Sequence, residues 1–168
     1  MKRLAIVLLF ALDITQGAHS QSIRSANLYQ KYRGEKGVVA VYIPGFVMKF
    51  AASIADLDGP EKQMVKSLRS LRVLTIEDHT RFSNVNFVKE LKLHSIKGKF
   101  APLLEVHDGG EDVMILGKER KGKLKDLLIV VGGEDNVLVH IRGRMNADML
   151  SSIADIADID ELRYTRQL

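Results

Sequence analysis

FAPLLEVHDGGEDVMILGKERKGKLKDLLIVVGGEDNVLVHIRGR, residues 100–144, decides the fold. Four short apolar runs lie within it: Phe100–His107, Asp112–Glu119, Lys123–Val131 and Asn136–Arg144. Three turn-rich segments separate them, Asp108-Gly109-Gly110-Glu111, Arg120-Lys121-Gly122 and Gly132-Gly133-Glu134-Asp135. Glycine-bearing turns between short apolar runs mark β-hairpins. Consecutive strands usually neighbour each other, so the run predicts a four-strand antiparallel meander. Val113–Leu116 (VMIL) and Leu127–Val131 (LLIVV) are apolar at odd and even positions alike. Such strands present apolar side chains to both faces of a sheet. Either helices cover both faces, or one face receives a partner. The Leu127–Val131 strand is expected at the centre, because so apolar an edge would invite aggregation.

Upstream of the meander the pattern mixes helix and strand. Ser22–Arg33 predicts a short helix with Ile23, Leu28, Tyr29 and Tyr32 as its apolar set, ended by Gly34 and Gly37. Val38–Ile43 is β-branched and predicts a strand stopped by Pro44-Gly45. Phe46, Val47, Phe50 and Ile54 recur at helical spacing. Asp58-Gly59-Pro60-Glu61 is a helix start, with a cap, a first-turn proline and an acid three residues after the cap. Met64, Val65, Leu68 and Leu71 are expected to form the buried face of that helix. Arg72–Asp78 predicts a second strand, and Asn84 a cap for a helix bearing Phe87, Val88 and Leu91. Downstream, Asn146 is placed to cap a last helix with Met149, Leu150, Ile153 and Ile156 on one face. The order predicts an α+β fold: a mainly antiparallel sheet, a C-terminal four-strand meander, and helices packed on it.

The first 20 residues concern address rather than fold. Lys2 and Arg3 precede an unbroken apolar run, Leu4–Leu12, which Asp13 ends. Ala18-His19-Ser20 then offers small residues at the positions a signal peptidase reads. The run is too short to span a bilayer, which takes roughly 20 apolar residues. Residues 1–20 are therefore expected to be a cleaved signal peptide, and residues 21–168 a single exported domain starting at Gln21. Loss of Lys2, Arg3 and Asp13 would change the formal charge from +4 to +3. Such a mildly basic protein favours acidic surfaces. With no cysteine in the chain, thiol catalysis, cysteine-held metals and a lipidated cysteine anchor are excluded. No second apolar run is long enough to cross a membrane, so a soluble or peripherally attached protein is expected.

A resemblance enters on several of these stretches together: the export signal, YRGEKGVVAVYIPGFVMKF (32–50), RVLTIED (72–78), the 103–143 meander and the closing helix after Asn146. The chain resembles the small exported bacterial proteins grouped as domain of unknown function 4252. The most specific parts are the strand–Lys-Gly–strand hairpin at Lys118–Lys125 and the LLIVVGGED turn. Many members carry a lipoprotein-type cysteine, which this chain lacks. That family has no established activity, so the resemblance implies no catalytic residue.

The chemistry-bearing residues give little support to catalysis. Gly-Gly-Glu-Asp occurs at Gly109–Asp112 and again at Gly132–Asp135, close to a nucleotide-cyclase signature. Two copies at successive hairpin turns are explained by turn chemistry, since glycine supplies positive φ and Asp caps its own turn. Glu77, Asp78 and His79 form one cluster and Glu105, His107 and Asp108 another, each with the ligand types of zinc. Neither has the His-x3-His spacing that places two ligands on one helix face. His140 alternates with Val139 and Ile141 and is expected to point outward. No Gly-x-Ser-x-Gly elbow, dinucleotide fingerprint or phosphate loop is present. One turn gathers Lys118, Arg120, Lys121, Lys123 and Lys125. This cluster suits an acidic polysaccharide, lipid headgroups or nucleic acid, or else is a solvated hairpin tip that discourages edge pairing. The absence of an interleaved aromatic for base stacking, together with export, argues against nucleic acid.

The expectation is thus a non-catalytic exported domain with no catalytic, cofactor or metal residues and no cofactor. Its partner would be an acidic envelope or extracellular molecule met through the sheet or the basic hairpin. The alternatives are a metal-dependent hydrolase built on the Glu77/His79 or Glu105/His107/Asp108 groups, and a self-associating structural protein.

Overall fold

The computed structural model describes residues 20–92 and 100–146. The expected signal peptide, apart from Ser20, lies outside them, as do His94 and the helix expected after Asn146. The chain runs α1 (Ser20–Tyr32), β1 (Val38–Pro44), α2 (Gly45–Ile54), α3 (Gly59–Ser67), β2 (Leu68–Ile76) and α4 (Phe87–Leu91). It continues through β3 (Ala101–Asp108), β4 (Glu111–Glu119), β5 (Leu124–Gly132) and β6 (Val137–Met145). The six strands form one antiparallel sheet in the order β1-β2-β6-β5-β4-β3. The fold is α+β, with β3 to β6 as the predicted meander. β5 sits between β4 and β6, away from both edges.

The apolar side chains of β4 and β5 are buried on both faces of the sheet, and α1 and α4 cover one of them. On one face Met114, Leu116, Leu128, Val130 and Leu138 pack with Leu28, Tyr29 and Tyr32 of α1 and Phe87, Val88 and Leu91 of α4. On the other, Ile115, Leu127, Ile129, Ile141 and Met145 pack with half-buried Met64 of α3 and Leu68 and Leu71 of β2. The α3 start follows its sequence signals: Asp58 accepts a hydrogen bond from the Glu61 N–H at 2.8 Å, with proline in the first turn. The α4 stripe is fully buried, but its cap is Asn86, which accepts from the Lys89 N–H at 2.9 Å. Asn84 lies two residues too early, in the preceding turn. Buried Asn136 accepts from Phe87 N–H and donates to the Val85 and Gly133 carbonyls, tying α4 to the β5–β6 turn.

A further expectation is corrected. The helix expected to carry Leu68 and Leu71 ends at Ser67, and both leucines belong to β2. Their i, i+3 spacing fits helix and strand alike once the strand is bulged, and β2 shifts register between Leu68 and Ser70. In α2 the buried residues are Met48 and Ala52. Phe46, Phe50 and Ile54 face outward instead, 74%, 67% and 72% exposed.

Antiparallel pairing gathers the strand ends into two sets. Pro44, Leu68, Ala101, Glu119, Leu124 and Met145 mark one end of the sheet. Val38, Ile76, Asp108, Glu111, Gly132 and Val137 mark the other.

Candidate functional site

At the first of these ends lies a cleft of about 560 Å³. β4 supplies Lys118 to its lining, the β4–β5 turn Arg120, Lys121 and Lys123, and β5 Lys125 and Asp126. β6 adds Arg142, Gly143 and Arg144, and β2 adds Arg69. Eight lining side chains are cationic and one is acidic. The five basic residues singled out in the sequence all reach this cleft. Arg69, Arg142 and Arg144 were missed, because they lie 49 residues upstream or on the next strand but one; the LRSLR and IRGR alternations at strand ends were the available signal.

Local backbone irregularity builds the cleft. Register shifts fall at Lys118/Glu119, at Leu124/Asp126 and at Leu68/Ser70, all at this end of the sheet. A bulge bends its strand and re-aims the side chains beside it. The β4–β5 turn has φ of 57° at Lys121 and 69° at Gly122, and Arg120 N–H donates to Lys123 O at 2.9 Å. Two central residues with positive φ make a type I′ turn, which prefers Asn-Gly. A lysine at the first of these positions sits in the left-handed region, which disfavours a side chain by about 1 kcal/mol.

Asp126 is the cleft's internal counter-charge. Its Oδ1 accepts from Arg142 Nε at 3.0 Å and lies 3.5 Å from His140 Nε2, and its Oδ2 lies 3.8 Å from Lys118 Nζ. Burial alone would raise the Asp126 pKa; the approach of His140 and the charges of Arg142 and Lys118 outweigh it and hold the carboxyl below its ordinary value. The Lys125 pKa is lowered too, which in a base disfavours the charged form. Loss of solvation, then repulsion from Arg144, Lys123, Arg69 and Arg120, lowers its pKa. Like charges are therefore crowded here beyond what Asp126 neutralises.

His140 does not point outward. It is 1% exposed, on the sheet face covered by α1, with Nδ1 3.3 Å from Ser25 Oγ. Alternation with Ile141 was read correctly, but the opposite face is also covered. Ser25, His140 and Asp126 thus stand in the order of a serine-hydrolase triad, yet all three are buried. A nucleophilic serine has to meet its substrate, whereas Ser25 is buried, and the row is broken at His140 Nε2, a buried nitrogen with no hydrogen-bond partner among the described residues.

The two carboxylate–histidine clusters lie at the opposite end of the sheet. His107 Nδ1 is 2.6 Å from Asp112 Oδ1 and Nε2 is 2.9 Å from Glu105 Oε1. The hydrogen bond with Asp112, then that with Glu105, raises the His107 pKa. Acceptors on both nitrogens favour an imidazolium, which has no lone pair for a metal. His79 Nδ1 instead meets the Glu134 carbonyl at 2.9 Å, and its Nε2 lies 3.7 Å from Asp135. Among the described residues, no group of three or more His, Asp or Glu is arranged to hold a metal ion. The two Gly-Gly-Glu-Asp turns pack side by side here, so closely that a β-carbon on Gly133 would fall 2.5 Å from the Gly110 carbonyl oxygen. Glu111, Asp112, Glu134 and Asp135 thereby gather at the end remote from the cationic cleft.

The model of a family described as Domain of unknown function (DUF4252) matches residues 32–153. No curated protein and no solved structure matches the chain. No helix among the described residues is long and apolar enough to cross a membrane.

Proposed function

This chain belongs to the family described as Domain of unknown function (DUF4252), and we propose that it is an exported, non-catalytic binding domain whose cationic cleft takes a polyanionic ligand. The observation that carries the reading is the convergence of eight Lys and Arg side chains from β2, β4, β5, β6 and one turn on one cleft with a single carboxylate. A merely solvated face disperses like charges, because crowding them costs free energy. A ligand with several phosphate, sulfate or carboxylate groups relieves that crowding, and the guanidinium forks of Arg69, Arg142 and Arg144 suit such groups bidentately. Export is supported by the Lys2-Arg3 start, the Leu4–Leu12 run and the small residues before Gln21. Cleavage after Ser20 would leave α1 whole but for its first residue. Acidic envelope polymers or lipids would then be the available partners. The hydrolase alternative needs its Glu77/His79 or Glu105/His107/Asp108 groups to converge on a metal, and among the described residues no three such ligands are so arranged.

Two measurements test this reading. Intact mass of the protein from fractionated cells should correspond to residues 21–168 outside the cytoplasm; a cytoplasmic product retaining residues 1–20 would overturn export. Heparin, a soluble polyanion, should bind the wild type with an affinity that falls with salt, and K121E/K123E should weaken it about tenfold or more. Equal binding by wild type and K121E/K123E would remove the cleft from the account.

A further inference from the structure

The cleft does not explain the apolar stripe of α2. Phe46, Phe50 and Ile54, at i, i+4 and i+8, are each at least 67% exposed, while the opposite side of the helix buries Met48 and Ala52. Half-exposed Leu103 lies at the same end of the sheet. A helix that turns two phenylalanines and an isoleucine to water has the build of an interfacial helix. The stripe starts beside the cleft. Gly45, the first residue of α2, packs so closely on Arg69 that a β-carbon there would lie 2.7 Å from the Arg69 carbonyl oxygen, and Arg69 lines the cleft.

We infer that this end of the molecule docks on an anionic lipid surface, with headgroup phosphates at the cationic cleft and Phe46, Phe50 and Ile54 in the acyl boundary. The inference rests on the polyanion reading above and names its ligand as a lipid assembly. Charge complementarity selects this occupant over a second copy of the chain. The stripe begins one residue after Gly45, which packs on the cleft-lining Arg69, so two copies meeting through it would bring their cationic clefts near each other. Among the described residues, the acidic Gly-Gly-Glu-Asp turns and the cleft lie at opposite ends of the sheet, which favours one orientation. The end bearing Glu111, Asp112, Glu134 and Asp135 is repelled by the surface that attracts the cleft. Either element alone gives weak attachment, and the pair acts as two signals on one surface.

The test compares the full-length exported protein with F46S/F50S and K121E/K123E. Each is mixed with vesicles of phosphatidylglycerol and phosphatidylcholine, with vesicles of phosphatidylcholine alone, and with heparin. Wild type should bind only the anionic vesicles and heparin. F46S/F50S should keep its heparin affinity within about twofold and lose about tenfold or more on anionic vesicles. K121E/K123E should lose both. Because Phe46 and Phe50 are exposed, F46S/F50S should melt with the wild type; if it does not, Ile54→Ser at the helix end replaces it. Heparin binding without vesicle binding overturns the lipid inference and leaves the polyanion reading standing. Loss of heparin binding by the wild type overturns both. Vesicle binding by F46S/F50S equal to that of the wild type overturns the role of α2. A wild-type dimer that F46S/F50S converts to monomer assigns the stripe to a second copy and overturns the inference.

Discussion

Asp126 shows how one residue can set both stability and affinity. It holds Arg142 and Lys118 while itself buried, and it occupies the anionic place within the cleft. Asp126→Asn should lower stability by about 1–3 kcal/mol, since the hydrogen bond to a charged partner weakens and the cations lose their counter-charge. The same change should tighten polyanion binding. Thermal melts paired with heparin titrations check this; a variant that is less stable and also binds less tightly would deny Asp126 its competing role. His107 makes a separate, pH-dependent contribution. Its pKa is raised by Asp112 and Glu105, so its share of stability is full below the unfolded value of about 6.5 and is lost as pH rises through the folded value. The Asp112 pKa is lowered, first by the same hydrogen bond and then by Asn86. Its share is present above the ordinary 3.8 and is lost as pH falls through the lowered value. NMR titration of the His107 ring should give a midpoint above that of an ordinary histidine, and Asp112→Asn should bring it down; an ordinary midpoint in the wild type would contradict the bridging geometry.

Among the elements, the β4–β5 hairpin carries the clearest compromise. A type I′ turn favours Asn-Gly, and this chain has Lys121-Gly122 with Lys121 at φ 57°. Lys121→Asn should stabilise the protein by roughly 0.5–1 kcal/mol and weaken polyanion binding, the trade expected where a strained residue serves a site. A melt that did not rise would mean that the lysine is not strained there. The neighbouring β5 strand tests the core. Leu128 and Ile129 are 1% and 5% exposed on opposite faces, so Leu128→Asp and Ile129→Asp should each cost about 4 kcal/mol or more. Tolerance of either would mean that its face is open. These strands were legible because glycine turns and unbroken apolar runs are local signals. The Phe46 stripe and the ends of α3 and α4 were not, for different reasons. Helical spacing identifies a stripe but not whether anything covers it. Leu68 and Leu71 fit either period, and Asn84 and Asn86 are equally good caps until the chain's path chooses one. His140 was misjudged because a strand covered on both sides has no outward face.

For the whole molecule the net charge is +4, and among the described residues the two ends of the sheet differ in sign. Antiparallel pairing brings the basic ends of β4, β5, β6 and β2 together, and the acidic Gly-Gly-Glu-Asp turns meet at the far end. The five basic residues of one hairpin were visible in the sequence; the cleft was not, because Arg69, Arg142 and Arg144 reach it only through strand order. Amide NMR titration of the full chain with a soluble sulfated oligosaccharide tests the cleft most directly. Salt-sensitive shifts should concentrate at Arg69, Lys118–Asp126 and Arg142–Arg144, with the Gly109–Asp112 and Gly132–Asp135 turns unmoved. Shifts that centre on those acidic turns, or none at saturating oligosaccharide, would contradict the polyanion reading.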